Sequence, residues 1–144
     1  MGMLFSLRGR TSRLGYWRAY LISAVLIAVF WALGLFAILT VGPAGGVLLL
    51  GVIPGVALFL ATTLRRLHDR GKNVWWWALF MAGPFFCAAV ANLLVSRETT
   101  AAALASLPFS LGGLGLGVWG LVEIGFLRGD PGPNRYGEVP AVGH

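Results

Sequence analysis

Four apolar runs, each about as long as a bilayer core is thick, constrain this chain more than any other feature. They cover residues 17–40, 45–64, 74–95 and 104–127. The first carries one charge, Arg18, at its very start; the second and third carry none; the fourth carries only Glu123. At about 1.5 Å of rise per residue, roughly 20 residues cross a hydrocarbon core about 30 Å thick. A soluble fold must cover such runs with polar surface. The chain is 58% hydrophobic and 11% charged, against roughly 25% charged in an ordinary soluble domain. Eleven basic and five acidic residues are too few for that cover. With no water at the bilayer centre the backbone must satisfy its own hydrogen bonds, so the runs are read as helices. The expectation is an all-α integral membrane bundle of four transmembrane helices. It forms one membrane domain over residues 1–144, with a tail at 128–144.

The first run has a basic flank, as a signal peptide does, but it is longer than the roughly 7–15 apolar residues of a typical h-region. It reads as an uncleaved anchor. Orientation follows from the basic residues. Arg8, Arg10, Arg13 and Arg18 stand before or at the start of the first span. Arg65, Arg66, Arg70 and Lys72 lie between the second and third, and Arg128 and Arg135 in the tail. Arg97 is alone on the other side, so ten of eleven basic residues share one face. The positive-inside rule puts that face, and both termini, in the cytoplasm of a bacterial inner membrane. Cys87 has no partner for a disulfide and no zinc spacing; it reads as a small core residue. No metal site and no cofactor is expected.

Small residues recur where helices could pack. Gly51 and Gly55 share a face of span two; Gly113, Gly117 and Gly120 fall at i, i+4 and i+7 in span four. Such faces let helix backbones approach closely, within the bundle or in a homo-oligomer. Pro54 and Pro84 are expected to bend spans two and three. Tyr16, Trp17, Trp75, Trp76 and Trp77 open spans one and three at headgroup level, where amphipathic rings settle. Ionisable groups at depth are scarce. Glu123 lies close enough to the interface to reach it or to pair with an arginine such as Arg128, and no chain of acids or histidines suggests a proton pathway.

The informative chemistry therefore sits in three polar segments: Leu7-Arg8-Gly9-Arg10-Thr11-Ser12-Arg13-Leu14-Gly15-Tyr16-Trp17, then Arg65-Arg66-Leu67-His68-Asp69-Arg70-Gly71-Lys72-Asn73-Val74-Trp75-Trp76, then Gly132-Pro133-Asn134-Arg135-Tyr136-Gly137-Glu138-Val139-Pro140. Together they resemble a bacterial inner-membrane family catalogued as domain of unknown function 805. Its members carry an F-x-G-R-x-S-R-x-x-[YF]-W opening, an R-R-L-H-D turn followed by G-W-W, and a G-x-N-x-Y-G-x-x-P tail. Leu7 stands here in place of the usual Phe, and Asn73-Val74 in place of Ser-Gly. The resemblance covers nearly the whole chain. It implies a small multi-spanning protein and no known activity.

Local chemistry gives these segments physical roles. Thr11 or Ser12 can cap the helix that begins near Arg13. Residues 65–70 read as span two running on into the cytoplasm, with Gly71 able to end it in a left-handed conformation. Asp69 is i+4 from Arg65 and i+3 from Arg66, so it can pair with either. It can also receive Arg10, Arg13 or Arg135 from the other segments. The tail, rich in proline and glycine, is expected to dock against the turn at 65–73. Arg10, Arg13, Arg65, Arg66, His68, Asp69, Arg70, Asn134, Arg135 and Tyr136 thus form either a charge network tying termini and loop together or a site for an anionic group, since arginine forks suit phosphate. His68 and Asp69 are neighbours on a helix and point apart by about 100°, and no nucleophile with a positioned base is present, so no catalytic residue is assigned and an enzyme is not favoured. Basic segments next to spans face headgroups, not nucleic acid. The leading reading is a structural or interaction protein whose basic face binds anionic lipid or a membrane partner. The alternative is a small transporter or channel, which would show a polar-lined cavity near Pro54 and Pro84.

Overall fold

The computed structural model describes residues 7–140. Its helices are α1 (Arg13–Val41), α2 (Val52–Asp69), α3 (Val74–Val95) and α4 (Thr100–Leu121). A 3-10 segment, Pro43–Gly51, precedes α2, and a π-helical segment, Val122–Phe126, follows α4. Among the described residues the only β pairing is one isolated bridge, Asn134 with Gly137. Four of these helical stretches are long and apolar enough to cross a membrane. The fold is all-α, as the runs require. Leu39, Trp75 and Phe85 expose 85%, 75% and 78% of their surface, which suits an apolar surrounding and not water.

The helix ends follow local chemistry. Ser12 caps α1, its side chain accepting from the Gly15 amide at 3.2 Å. Asn73 and Thr99 cap α3 and α4 in the same way. Gly71 takes a φ of 65° just past the end of α2, where a side chain would be strained.

Two compact units result. The first comprises Met1–Gly71 and Gly129–His144. Here α1 packs antiparallel against the 3-10 segment and α2, and glycine sets the spacing. A Cβ on Gly51 would run into the Phe30 ring, one on Gly45 into the backbone of Ala37, and one on Gly34 into Leu49. Phe30, Gly34 and Ala37 lie on one α-helical face, while Gly45 and Gly51 share a face at three residues per turn. The tighter winding keeps those two glycines against α1. Pro54 lies within the candidate span Pro43–Asp69. It stands in the first turn of α2, just after the change from 3-10 to α winding.

The second unit, Lys72–Arg128, is the hairpin of α3 and α4 with the π segment. Gly113 lies against Cys87 and the Pro84 backbone, and Gly120 against Phe80. Phe80, 2% exposed, sits among Trp76 and Trp119 at ring distances of 5.6 and 5.2 Å. These glycines serve packing inside their own unit. Gly117 does not share in it; a Cβ there would meet nothing within 4 Å. Pro84 is inside α3 as the sequence requires, and Pro108 lies inside α4.

Candidate functional site: a basic cap strapped by the tail

The site belongs wholly to the first unit. The last turn of α2, residues 65–69, continues beyond the apolar run and presents Arg66 and Asp69 three residues apart. Both are buried, with 0% and 3% exposed. Asp69 Oδ2 accepts from Arg66 Nη1 and Asp69 Oδ1 accepts from Arg10 Nε at 2.9 Å. Of the two helix partners open to Asp69, the structure selects Arg66. Arg65 instead donates from Nε to the Ala61 carbonyl at 3.3 Å and from Nη2 to Thr62 at 3.5 Å, along its own helix.

Arg10 reaches this point from the segment before α1, after a turn at Gly9 with a φ of 90°. Its guanidinium then gathers the tail. Nη1 donates to the Gly132 carbonyl at 2.6 Å and to that of Gly137 at 3.3 Å, and Nη2 donates to that of Asp130 at 2.7 Å. The tail returns the contact through its own backbone, the Asp130 amide donating to the Asp69 carbonyl at 2.8 Å. Gly129 makes this approach possible, because a Cβ there would collide with the Asp69 carboxylate.

The rest of the tail is a short Asx-supported hairpin. Asn134 and Gly137 exchange backbone hydrogen bonds at 3.2 and 2.9 Å, and Asn134 Oδ1 accepts from the Tyr136 amide at 2.9 Å. Asn134 Nδ2 donates to the His68 carbonyl at 3.0 Å and to Asp130 Oδ2 at 2.8 Å. Arg135 Nη2 donates to the Gly71 carbonyl at 3.2 Å. The Tyr136 ring stacks on His68, with centroids 3.9 Å apart and planes 7° from parallel. The His68 Nδ1 lies 3.3 Å from the Gly9 carbonyl, which makes the Nδ1–H tautomer the fitting one. Burial pushes the His68 pKa below its ordinary value; the Gly9 hydrogen bond acts upward and the Arg135 charge downward. The ring is therefore neutral near pH 7.

Of the ten residues singled out in the sequence, Arg10, Arg66, His68, Asp69, Asn134, Arg135 and Tyr136 meet in this one network. Arg13 and Arg70 act on Arg66 electrostatically and make contacts of their own. Arg65 bonds to Ala61 and Thr62 of its own helix and makes further contacts. Sequence reasoning missed Asp130, which gives the strap a carboxylate, a carbonyl and an amide. It also missed the carbonyls of Gly132 and Gly137, which no residue type announces. In the second unit, Glu123 pairs with Lys72 at 3.5 Å, and Lys72 Nζ sits 3.7 Å over the Trp76 ring.

Four helices long and apolar enough to cross a membrane, with an arginine-rich cap strapped by the tail in the first unit, define a helical membrane protein. A family model described as "Protein of unknown function (DUF805)" matches residues 4–138, and the chain belongs to that family. Two relatives are "Inner membrane protein YhaH" of Escherichia coli strain K12 and of Escherichia coli O157:H7. Each is 38% identical over 81 residues, which is 54% of this chain and 64% of the relative. The chain thus covers less than two thirds of the length of the curated relatives it matches. No solved structure matches it.

Proposed function

We propose that this chain is a multi-pass protein of the bacterial inner membrane, with both termini in the cytoplasm, that acts without catalysis as a structural or interaction protein. Its basic cap holds anionic lipid headgroups. The observation that carries the reading is charge. The first unit has eight arginines against Asp69, Asp130 and Glu138, a net side-chain charge of +5. Asp69 is already shared between two of those arginines. A basic surface next to a membrane span gains about 1 kcal/mol per residue from an anionic leaflet. The named relatives, called inner membrane proteins, support the location.

The transporter alternative draws little from the groove described beside Pro84. A groove of about 350 Å³ in the second unit runs beside Pro84, Ala88, Phe109 and Gly113. Its polar side chains are Asn92 and Ser110, and the Ser110 hydroxyl donates to Ser106 of its own helix.

Two measurements test the reading. A periplasm-active reporter is expected to be silent after His144 and active at Arg97; activity at His144 alone overturns the topology. Native mass spectrometry from discs of phosphatidylglycerol and phosphatidylcholine is expected to show preferential retention of phosphatidylglycerol. Arg13→Gln and Arg70→Gln are each expected to lower that preference about fivefold. Equal retention of the two lipids by the parent protein rules the headgroup reading out.

A further inference from the structure

Arg10 spends its guanidinium on the tail. An arginine has five N–H donors, and four hydrogen bonds from Arg10 end on Asp69 and on the carbonyls of Asp130, Gly132 and Gly137. In this state Arg10 has little left to offer an anion. Three of its four acceptors are neutral. Arg10 and Arg66 share the single carboxylate of Asp69, and the side chains of the pairs expose only 1% and 5%. Two cations and one anion leave the buried triad with a charge of +1. Carbonyl dipoles solvate that charge but do not cancel it. They also occupy the directions along which an arginine fork receives phosphate oxygens through parallel hydrogen bonds.

We propose that the tail is a self-ligand: its carbonyls stand in for phosphate oxygens at Arg10, and its release opens that fork to a phosphate group. The proposal rests on the headgroup reading above and adds the regulation of the same cap. The strap is suited to the task. Between residues 129 and 140 it carries three prolines and three glycines. Apart from Arg10, its hold on α2 and Gly71 is a few hydrogen bonds and one ring stack. Segments with few apolar contacts open at low cost, and proline keeps the docked form easy to restore by limiting the released ensemble. A purely structural strap predicts the opposite response, because its loss would strip partners from a buried cation and open nothing useful.

The test uses full-length protein carrying Asn134→Ala and Tyr136→Ala, which keeps every arginine. Cleavage between Gly132 and Gly137 reports that the tail is released. With the tail free, phosphatidylglycerol retention in native mass spectrometry is expected to rise about fivefold, the contribution of one basic residue at an anionic surface. Adding Arg10→Lys, which keeps the charge but not the fork, is expected to return it to the parental level. Titration of inorganic phosphate into the same variant in phosphatidylcholine discs separates the sources. Binding there means the phosphate group suffices, and no binding with a rise in phosphatidylglycerol assigns the ligand to the lipid headgroup. Unchanged or lower phosphatidylglycerol retention with a cleavable tail overturns the proposal. If the double variant does not fold, Tyr136→Ala alone, which removes the ring stack on His68 and the contact with Arg135 and keeps every arginine, is judged by the same two readouts. A parent that prefers phosphatidylglycerol beside an unchanged variant sinks the gate alone; a parent without that preference sinks the headgroup reading too.

Discussion

Asp69→Asn is expected to cost about 3–5 kcal/mol, the loss typical of removing one partner from a buried ion pair. The amide keeps the shape of the carboxylate, so packing is preserved and the change is electrostatic. Two guanidiniums, each on a side chain 1% exposed, would then face a neutral group. The damage should spread along the chain. Arg10 would lose the anion that fixes it under the tail carbonyls, and residues 129–140 should become cleavable. Thermal unfolding in a mild detergent, read together with proteolysis of the tail, measures both effects. A loss below about 1 kcal/mol, the range of exposed pairs, would mean that water screens the cluster and that the strap does not depend on it.

Gly120→Val and Gly117→Val form the second pair, and their difference matters more than either value. A Cβ on Gly120 would come within 2.9 Å of the Phe80 Cβ, closer than real side chains approach. Phe80 has no easy retreat, since it is buried among Trp76 and Trp119. Overpacking of that kind costs about 1–3 kcal/mol, so the α3–α4 hairpin should melt at a lower temperature. Gly117 is three residues away on the same helix, yet in its own unit a Cβ there has open space. Its valine variant should stay within about 0.5 kcal/mol of the parent. Equal damage at both positions would show that the whole glycine face is used, as a dimer seam would use it.

That pair also shows how far a periodic pattern can be read. The spacing Gly113, Gly117, Gly120 marks a face but does not say which part of it is covered. On an ideal helix Gly120 lies about 20° from Gly113 and Gly117 about 40° on the other side. Only the direction from which α3 approaches decides between them. The four spans, by contrast, needed no partner to be legible. Run length and the scarcity of charge depend on the residues themselves, and the bilayer, not the rest of the chain, sets the length required. The Ser12 cap and the left-handed Gly71 were legible too, because each depends on a few neighbouring residues.

Two departures mark where local reading ended. The stretch at Pro43–Gly51 has the apolarity of a spanning helix but winds as a 3-10 helix, because Gly45 and Gly51 must both lie against α1. The choice of Arg66 over Arg65 by Asp69 was open on spacing alone, and only the fold around Arg10 and Thr11 closes it. The network is the clearest case. Its residue types were visible as three basic or polar segments, so the sequence determined which groups were available. Which of them meet was set by tertiary structure. Arg10 and Asp69 are 59 positions apart, and Arg10 and Gly132 are 122 apart. Most of the strap's described bonds also end on backbone carbonyls, which every residue carries. An acceptor of that kind leaves no mark in a sequence and becomes distinctive only when folding turns it toward a buried charge.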